Sequence, residues 1–248
     1  MSAYETFASV YDLFMEQVEY DEWLDHIHAV WKKYGITPKT ILDLGCGTGS
    51  ILLPLAQEGF DVIGVDLSPE MLTEADHKAM EAGVSVRLAC QDMTELDLGE
   101  QADCILSLCD CMNYLIEDGQ LESAFQSIAA HMKKESLFLF DMNTEYKFRE
   151  VLGQKVFGAA EEAAAYIWEN DYDEEEKINE YYVSFFIEQE NGLYERVEEY
   201  HYERAYSIEE IEQTLQAAGL ALLEVTDGYS FAKPHEKSER LLFAARLK

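Results

Sequence analysis

The segment of residues 39–50, Lys-Thr-Ile-Leu-Asp-Leu-Gly-Cys-Gly-Thr-Gly-Ser, constrains the fold of this chain more than any other. Its apolar run predicts a strand. Gly45, Gly47 and Gly49 predict a tight turn, because glycine adopts a positive φ without a Cβ penalty. A helix that begins after such a turn directs free N–H groups and the positive end of its dipole at a ligand. An open α/β sheet holds a nucleoside with this strand–turn–helix unit.

The glycine spacing indicates which kind of nucleoside is bound. In the dinucleotide fingerprint G-x-G-x-x-G the third glycine comes one residue later, and here that place is taken by Ser50. Asp43 stands two residues before Gly45. A pyrophosphate gains nothing from a carboxylate, whereas a ligand with an ammonium and a sulfonium does. The segment therefore resembles the first motif of the class I S-adenosylmethionine (SAM) methyltransferases; the alternative is an ordinary tight turn between strand and helix.

Two more carboxylates follow the next predicted strands. Asp66 ends the second apolar run, 21 residues after Gly45, which is the separation at which a carboxylate reaches a ribose diol. Asp92 follows the third run, where an Asp of the SAM methyltransferases accepts a hydrogen bond from the adenine amino group. Asp43, the three glycines, Asp66 and Asp92 thus all fall at strand ends, in order, and this joint placement strengthens the resemblance.

The resemblance implies a complete cofactor site. Residues 4–12 are similar to an N-terminal lid in which a tyrosine closes over the methionine end of SAM, and Tyr11 is the candidate for that tyrosine. No metal site is expected, and no catalytic acid or base is assigned, because SAM carries an already activated methyl group. The expected cofactor-binding residues are Tyr11, Asp43, Gly45, Cys46, Gly47, Asp66, Leu67, Met71, Gln91, Asp92, Met93 and Cys109.

The order of predicted elements gives the fold class. Five strand–helix units and a closing β hairpin predict an α/β, Rossmann-like seven-stranded methyltransferase sheet with helices on both faces. Residues 1–150 and 207–248 are expected to form this domain. One helix is expected to run to about residue 58 with Pro54 inside it, which is tolerated only if the helix begins late or kinks.

Residues 151–206 are expected to form an antiparallel β insert of three strands, because the helical period disappears there. Such an insert resembles the β-sheet cap of bacterial small-molecule methyltransferases near the glycine N-methyltransferase type. Tyr182, Tyr200 and Tyr202 are expected to face the acceptor pocket beneath the cap, and a dimer interface is the alternative. Asp110, Asn113 and Tyr114, after the fourth strand, are further candidates for orienting an acceptor.

The composition narrows the partners. The 248-residue chain has 18 Lys and Arg against 50 Asp and Glu, a net charge of −32, which repels nucleic acid and anionic membranes. The segment after the fourth strand, Cys109-Asp110-Cys111-Met112, matches neither the Asp/Asn-Pro-Pro-aromatic run of nucleobase-amino methyltransferases nor the Pro-Cys of cytosine-C5 enzymes. Five cysteines without metal-ligand spacing and an N-terminus unlike a signal peptide favour the cytoplasm. A monomer and a homodimer are both compatible with the sequence.

The predicted function is a SAM-dependent methyltransferase that moves a methyl group to an N, O or C atom of a small molecule by in-line displacement. Alignment of the two reactants alone can contribute about 7–11 kcal/mol to such a reaction. One alternative is an NAD-type Rossmann oxidoreductase, against which the glycine spacing counts. Another is a non-catalytic protein that binds SAM or a partner, whose binding residues would look the same in the sequence.

Overall fold

The computed structural model describes residues 11–12, 15, 18–160, 164–189 and 191–248. The elements whose bounds lie within residues 18–160, 164–189 and 191–248 form two β-sheets and five α-helices. The strands are β1 (Thr40–Leu44), β2 (Asp61–Asp66), β3 (Arg87–Cys90), β4 (Ala102–Ser107), β5 (Met132–Asn143), β6 (Val156–Ala160), β7 (Ala164–Asp173), β8 (Ile178–Glu188), β9 (Tyr194–Arg204), β10 (Leu220–Asp227) and β11 (Arg240–Leu247). The helices are α1 (Tyr20–Tyr34), α2 (Leu52–Gln57), α3 (Pro69–Ala82), α4 (Gln120–Ala130) and α5 (Ile208–Ala217).

The main sheet has seven strands in the order β10-β11-β5-β4-β1-β2-β3. Strands β1 to β5 are parallel, and β11 is antiparallel to both β5 and β10. The order of the strands reverses between β1 and β4, and ligands of open α/β sheets bind at the carboxyl ends of the strands at such a point. The predicted seven-stranded α/β sheet is confirmed. Within the described ranges, no helix is long and apolar enough to cross a membrane.

Each face of the main sheet is covered by its own hydrophobic core, as predicted. Side chains of α1 and α2, such as Ile27 and Leu52, pack on one face together with Leu139 of β5. Side chains of α4, such as Phe125, pack on the other face with Phe138. Adjacent residues of β5 serve opposite cores because successive side chains of a strand point to opposite faces.

Local sequence explains where the helices begin and end. Helix α2 begins late, at Leu52, so that Pro54 lies in the first turn, where backbone N–H groups have no intrahelical acceptor and the missing donor is tolerated. Ser68 caps α3 by accepting a hydrogen bond from the Met71 N–H. The predicted capping box of α5, Ser207 with Glu210, is present.

The second sheet is antiparallel, with four strands in the order β6-β7-β8-β9, and it is called the cap below. The sequence predicted three of these strands and missed the edge strand β6. A π-helix, Lys147–Leu152, leads from β5 into the cap and contributes Phe148 and Leu152 to a separate small core with Val183 and Phe185. The domain boundaries at residues 151 and 206 stay a prediction.

Candidate active site

A cavity of about 370 Å³ opens at the carboxyl ends of β1, β2, β3 and β4. A crevice of about 40 Å³ beside it shares Tyr11, Gly45, Gly47 and Cys109 with the cavity. Of the residues predicted to bind the cofactor, those lining the larger cavity are Tyr11, Gly45, Gly47, Asp66, Leu67, Met71, Gln91, Asp92, Met93 and Cys109. The two others, Asp43 and Cys46, line the crevice. The structure therefore brings all the predicted residues together in one region, called the cofactor site below.

The glycine-rich turn is packed tightly at the end of β1. The N–H groups of Gly45 and Cys46 donate to the carbonyl oxygen of Val65, at 2.7 and 3.1 Å. Gly45 has φ +72°, and a Cβ at this position would overlap the Sγ atom of Cys111. A side chain at residue 45 would thus be opposed both by the backbone conformation and by a neighbour in the cavity wall.

Asp66 is fixed at the end of β2 by the backbone around it. Its Oδ2 accepts a hydrogen bond from the N–H of Gly47 at 2.8 Å, and its Oδ1 accepts one from the N–H of Ser68 at 2.9 Å. Burial raises the pKa of Asp66, and these backbone hydrogen bonds oppose the rise. Each carboxylate oxygen can accept a second hydrogen bond, so the side chain retains the capacity to bind a ribose diol.

Asp43 is a buried carboxyl group on β1, 3% exposed. Burial, followed by the nearby charge of Asp66, raises its pKa to about 7. Two carboxyl groups in one site fit a ligand that carries positive charge, because a cation stabilises their ionised forms. The same two groups disfavour binding of an anionic pyrophosphate.

The segment after β3 is held in place by its own side chains. Oδ1 of Asp92 accepts hydrogen bonds from the N–H of Thr94 at 2.8 Å and from its hydroxyl at 2.7 Å. Gln91 donates to the carbonyl oxygen of Asp97 and accepts from its N–H. Both residues thus shape the loop as well as line the cavity, a role that the sequence did not indicate.

Several residues of the cofactor site were not predicted to bind the cofactor. Tyr114 was expected only to orient the acceptor, although its position after β4, at the same sheet edge, was a signal for the cofactor site too. The additional residues that line the larger cavity are Val65, Ser68, Cys111, Tyr114, Leu115 and Gln120.

A second cavity, of about 400 Å³, lies between the carboxyl edge of the main sheet and the cap, and is called the acceptor cavity below. Asp110, Lys147 and Arg240 line it from the main domain, and Val183 and His201 line it from the cap. Its walls share Tyr11, Cys109 and Tyr114 with the cofactor site, so the two cavities adjoin.

The expectation that Tyr182, Tyr200 and Tyr202 face this cavity is wrong. Tyr200 is 52% and Tyr202 41% exposed, and the hydroxyl group of Tyr182 donates a hydrogen bond to the Glu198 carboxylate on the outer face of the cap. The residues between them face inward, since side chains alternate along a strand and a shift of one residue exchanges the two faces. From β8 and β9 the acceptor cavity is lined by Tyr181, Val183, Phe185, His201 and Glu203.

Arg240 anchors a buried ionic network at the end of β4. Its Nη2 lies 2.7 Å from Asp110 Oδ1, and its Nη1 lies 2.7 Å from Asp141 Oδ2. Cys109 and Asp110 have φ +61° and +55°, a conformation that is strained for non-glycine residues, and the Asp110 N–H donates to Asp141 Oδ1 at 2.7 Å. Burial raises the pKa of Asp110, but the charges of Arg240 and Lys147 and the hydrogen bonds with Arg240 and Glu203 together outweigh burial and lower the pKa.

Glu203 extends this network into the cap. Burial and the charge of Asp110, to which it is hydrogen-bonded, raise the pKa of Glu203 well above its usual value. Glu203 Oε2 accepts a hydrogen bond from Asn143 Nδ2 at 3.1 Å, and Asn143 Oδ1 accepts one from Lys147 Nζ at 2.8 Å. Burial and the charge of Arg240 lower the pKa of Lys147. The pKa values of Glu203 and Asp110 are therefore shifted in opposite directions, so Glu203 holds a proton more readily than Asp110.

Asn113 has a structural role instead of the predicted contact with an acceptor. It is fully buried, and its Nδ2 donates to the carbonyl oxygens of Asn143 at 3.1 Å and Arg204 at 2.8 Å. Its Oδ1 accepts from the Asn143 N–H. Asn113 thus ties the end of β4 to β5 and to the last residue of the cap sheet.

Comparisons with known proteins agree with this geometry. The family described as "Methyltransferase domain" matches residues 41–135. A Geobacillus sp. (strain WCH70) protein that is named as a methyltransferase is 37% identical over 244 residues, 98% of this chain and 99% of the relative. The chain belongs to the class I SAM-dependent methyltransferases. The crystal structure of a SAM-dependent methyltransferase from Clostridium acetobutylicum ATCC 824 superposes on this methyltransferase with a TM-score of 0.89, at 35% identity and 98% coverage of both chains.

A more distant relative of this methyltransferase has a defined acceptor. The dTDP-3-amino-3,4,6-trideoxy-alpha-D-glucopyranose N,N-dimethyltransferase of Streptomyces venezuelae is 30% identical over 128 residues, 51% of this chain and 52% of the relative. The family assignment makes SAM the cofactor and decides against the NAD-type oxidoreductase. The carboxyl groups of Asp43 and Asp66 fit the charge of this cofactor, and the role of each predicted binding residue stays a prediction.

Proposed function

We propose that this methyltransferase transfers a methyl group to a small molecule that is bound in the acceptor cavity beneath the cap. The observation that carries the proposal is the junction of the two cavities at Tyr11, Cys109 and Tyr114. A cofactor in one cavity and an acceptor in the other would come into contact at these three residues, and in-line displacement requires such contact. A volume of about 400 Å³ lies within the range of small-molecule sites.

The residues of the chain bind and align the two reactants. When bound, SAM supplies a methyl group that is activated by its positively charged sulfur. Asp66 would hold the ribose hydroxyls, Asp92 the adenine amino group, and Asp43 the charged end of the cofactor. The Tyr11 side chain, hydrogen-bonded to Tyr20, would close the cofactor site and exclude water.

The acceptor is proposed to be a polar molecule of modest size. Aromatic walls from Tyr166 and Trp168 and the polar groups of Asp110, Lys147 and Glu203 suit a partly apolar compound that carries a hydroxyl or amino group. The aminosugar acceptor named for the Streptomyces venezuelae relative is a compound of this kind. The net charge of −32 favours such an acceptor over nucleic acid. A cytoplasmic location, inferred from the cysteine content, remains a prediction. The sequence is compatible with both a monomer and a homodimer.

A methyl-transfer screen tests the proposal. The purified protein is incubated with SAM and panels of small amines, phenols, alcohols and carboxylic acids, and S-adenosylhomocysteine and the methylated product are detected by mass spectrometry. Calorimetry with SAM, S-adenosylhomocysteine and NAD measures cofactor binding separately. Binding of SAM without methyl transfer to any compound class would favour the non-catalytic alternative.

A pair of variants tests whether the cap cavity holds the acceptor. Val183→Phe places a larger side chain in the acceptor cavity, and we expect it to raise the KM for the acceptor while SAM affinity is unchanged. Ile167→Phe makes the same kind of enlargement at a residue that is 45% exposed on the cap, and serves as the control. Equal kinetics in the two variants would place the acceptor elsewhere.

A further inference from the structure

The inner face of β9 carries ionisable side chains where a buried sheet face normally carries apolar ones. Glu199, His201 and Glu203 alternate along the strand, and each is at most 7% exposed. Burying such groups is strongly unfavourable unless they are paired. Glu203 has partners in Asn143 and Asp110, as described above. Glu199 and His201 form a second buried group, which the binding roles assigned so far do not use.

The geometry of this second group fixes the roles of the two imidazole nitrogens. His201 Nε2 lies 3.2 Å from Glu199 Oε2, and His201 Nδ1 lies 3.4 Å from the Tyr114 hydroxyl oxygen. A carboxylate accepts hydrogen bonds and cannot donate one, so a neutral His201 carries its proton on Nε2. Nδ1 is then the basic nitrogen of the ring, and it is the nitrogen that faces Tyr114.

The position of Tyr114 connects this group to the reaction. Tyr114 lines both cavities, and His201 lines the acceptor cavity. We propose that His201 is the catalytic residue that takes the proton of the methyl acceptor, that Glu199 positions its imidazole, and that the Tyr114 hydroxyl holds the acceptor atom beside Nδ1. This inference rests on the proposed function, and it restricts the acceptor to a hydroxyl or amino group that loses a proton on methylation.

The proton balance of the step is simple. The acceptor oxygen or nitrogen uses its lone pair for the new bond to the methyl carbon, and the electrons of the broken C–S bond stay on sulfur. The proton that the acceptor atom then releases passes to His201 Nδ1. The resulting imidazolium donates from Nε2 to the Glu199 carboxylate, which stabilises its charge. A positioned base of this kind contributes about 100- to 10,000-fold to the rate.

The nearest competitor for this role is Lys147, because burial and the charge of Arg240 lower its pKa. Lys147 Nζ lies 2.8 Å from Asn143 Oδ1 and is directed at it. Lys147 lines the acceptor cavity but not the cofactor site, whereas Tyr114, the hydrogen-bond partner of His201, lines both cavities. Besides His201 and Tyr114, the titratable side chains that line the acceptor cavity are Tyr11, Cys109, Asp110, Lys147, Tyr166, Tyr181, Glu203 and Arg240.

The tautomer of His201 is measurable without an acceptor. In the full-length, ¹⁵N-histidine-labelled protein, the resonances that disappear in His201→Asn identify the ring. We expect long-range ¹H–¹⁵N spectra at neutral pH to show the Nε2–H tautomer in the wild type, and Glu199→Gln to change the tautomer ratio of His201. A wild-type ring protonated on Nδ1, or a ring indifferent to Glu199→Gln, would overturn the proposed arrangement.

Kinetics with an acceptor found in the methyl-transfer screen test the catalytic role. We expect His201→Asn to lower kcat by about 100-fold or more, with SAM affinity unchanged and the acidic limb of the kcat–pH profile lost. Lys147→Met should retain that limb, and Tyr200→Phe, on the outer face of the same strand, should match the wild type. Transfer at a wild-type rate by His201→Asn would refute the base while leaving the proposed function intact. Absence of transfer by the wild type would count against the proposed function itself, and the tautomer measurement would still decide the arrangement.

Discussion

Asp43 provides a prediction in which stability and cofactor affinity respond to pH in opposite directions. The pKa of this buried carboxyl group is raised to about 7 by burial and by the charge of Asp66, from 3.8 in the absence of these effects. A positively charged cofactor favours the carboxylate form. SAM affinity should therefore rise by about tenfold per pH unit below pH 7 and level off above it.

The same pKa sets the sign of the effect on stability. Between pH values of about 4 and 7 the folded protein retains a proton on Asp43 that the unfolded chain has lost. The free energy of unfolding therefore falls as the pH rises through this window, by at most about 1.4 kcal/mol per pH unit from this group. Asp43→Asn removes the buried charge, so at about pH 8 the variant should be more stable than the wild type and bind SAM more weakly.

Calorimetry and urea unfolding test both halves of the prediction. SAM binding is measured between about pH 5.5 and 7.5, in buffers of different ionisation enthalpy, which also reports the proton released on binding. Asp61→Asn, at the exposed start of β2, is the control and should change neither dependence. A wild-type affinity that is flat across this window, or an Asp43→Asn variant less stable than the wild type at pH 8, would refute the reasoning.

Three further predictions concern the cofactor site and the cap. Asp66→Ala should weaken SAM binding and also destabilise the fold by about 1–3 kcal/mol for each of the two backbone N–H groups that lose their acceptor, whereas Asp66→Asn should cost less stability; urea unfolding and calorimetry measure the two effects. Gly45→Ala should lose more stability than Gly83→Ala. Both glycines have a positive φ, but a Cβ at residue 45 would overlap Cys111 Sγ, whereas a Cβ at residue 83 meets nothing within 4 Å. Equal unfolding midpoints of the two variants would show that Cys111 moves aside at no cost in stability. Tyr200→Phe should leave turnover and acceptor KM unchanged, because its side chain lies on the outer face of the cap.

The sequence could place the predicted cofactor-binding residues at one edge of the sheet because these residues share one geometric property. Asp43, Asp66 and Asp92 belong to or directly follow three parallel strands, and the carboxyl ends of parallel strands meet at one edge of the sheet. Their order along the chain was therefore sufficient to place them together. Their hydrogen bonds were not predictable in the same way. The bond from Gly47 to Asp66 joins residues 19 positions apart, and depends on how the turn packs against β2.

The inward face of the cap could not be chosen from the strand pattern alone. Alternation along β9 defines two faces, and general burial preferences favour the tyrosines over Glu199, His201 and Glu203 as the buried set. The structure reverses this choice because partners for the ionisable residues come from the main domain. Tyr114 is 87 residues from His201 along the chain, and Asn143 is 60 residues from Glu203.

These distant partners explain why the reversal is stable, and they connect the cap to the reaction. A face that carries Glu, His and Glu can be buried only against another polar surface, since apolar neighbours would leave its charges unpaired. The polar surface in this fold is the carboxyl edge of the main sheet, where the cofactor site also lies. Because the ionisable face of the cap must pack against this polar edge, His201 lies in the cavity that adjoins the cofactor site. Tyr182 and Tyr202 on the opposite face can be exposed at little cost, because their hydroxyl groups hydrogen-bond to Glu198 and Glu180, respectively, at the surface.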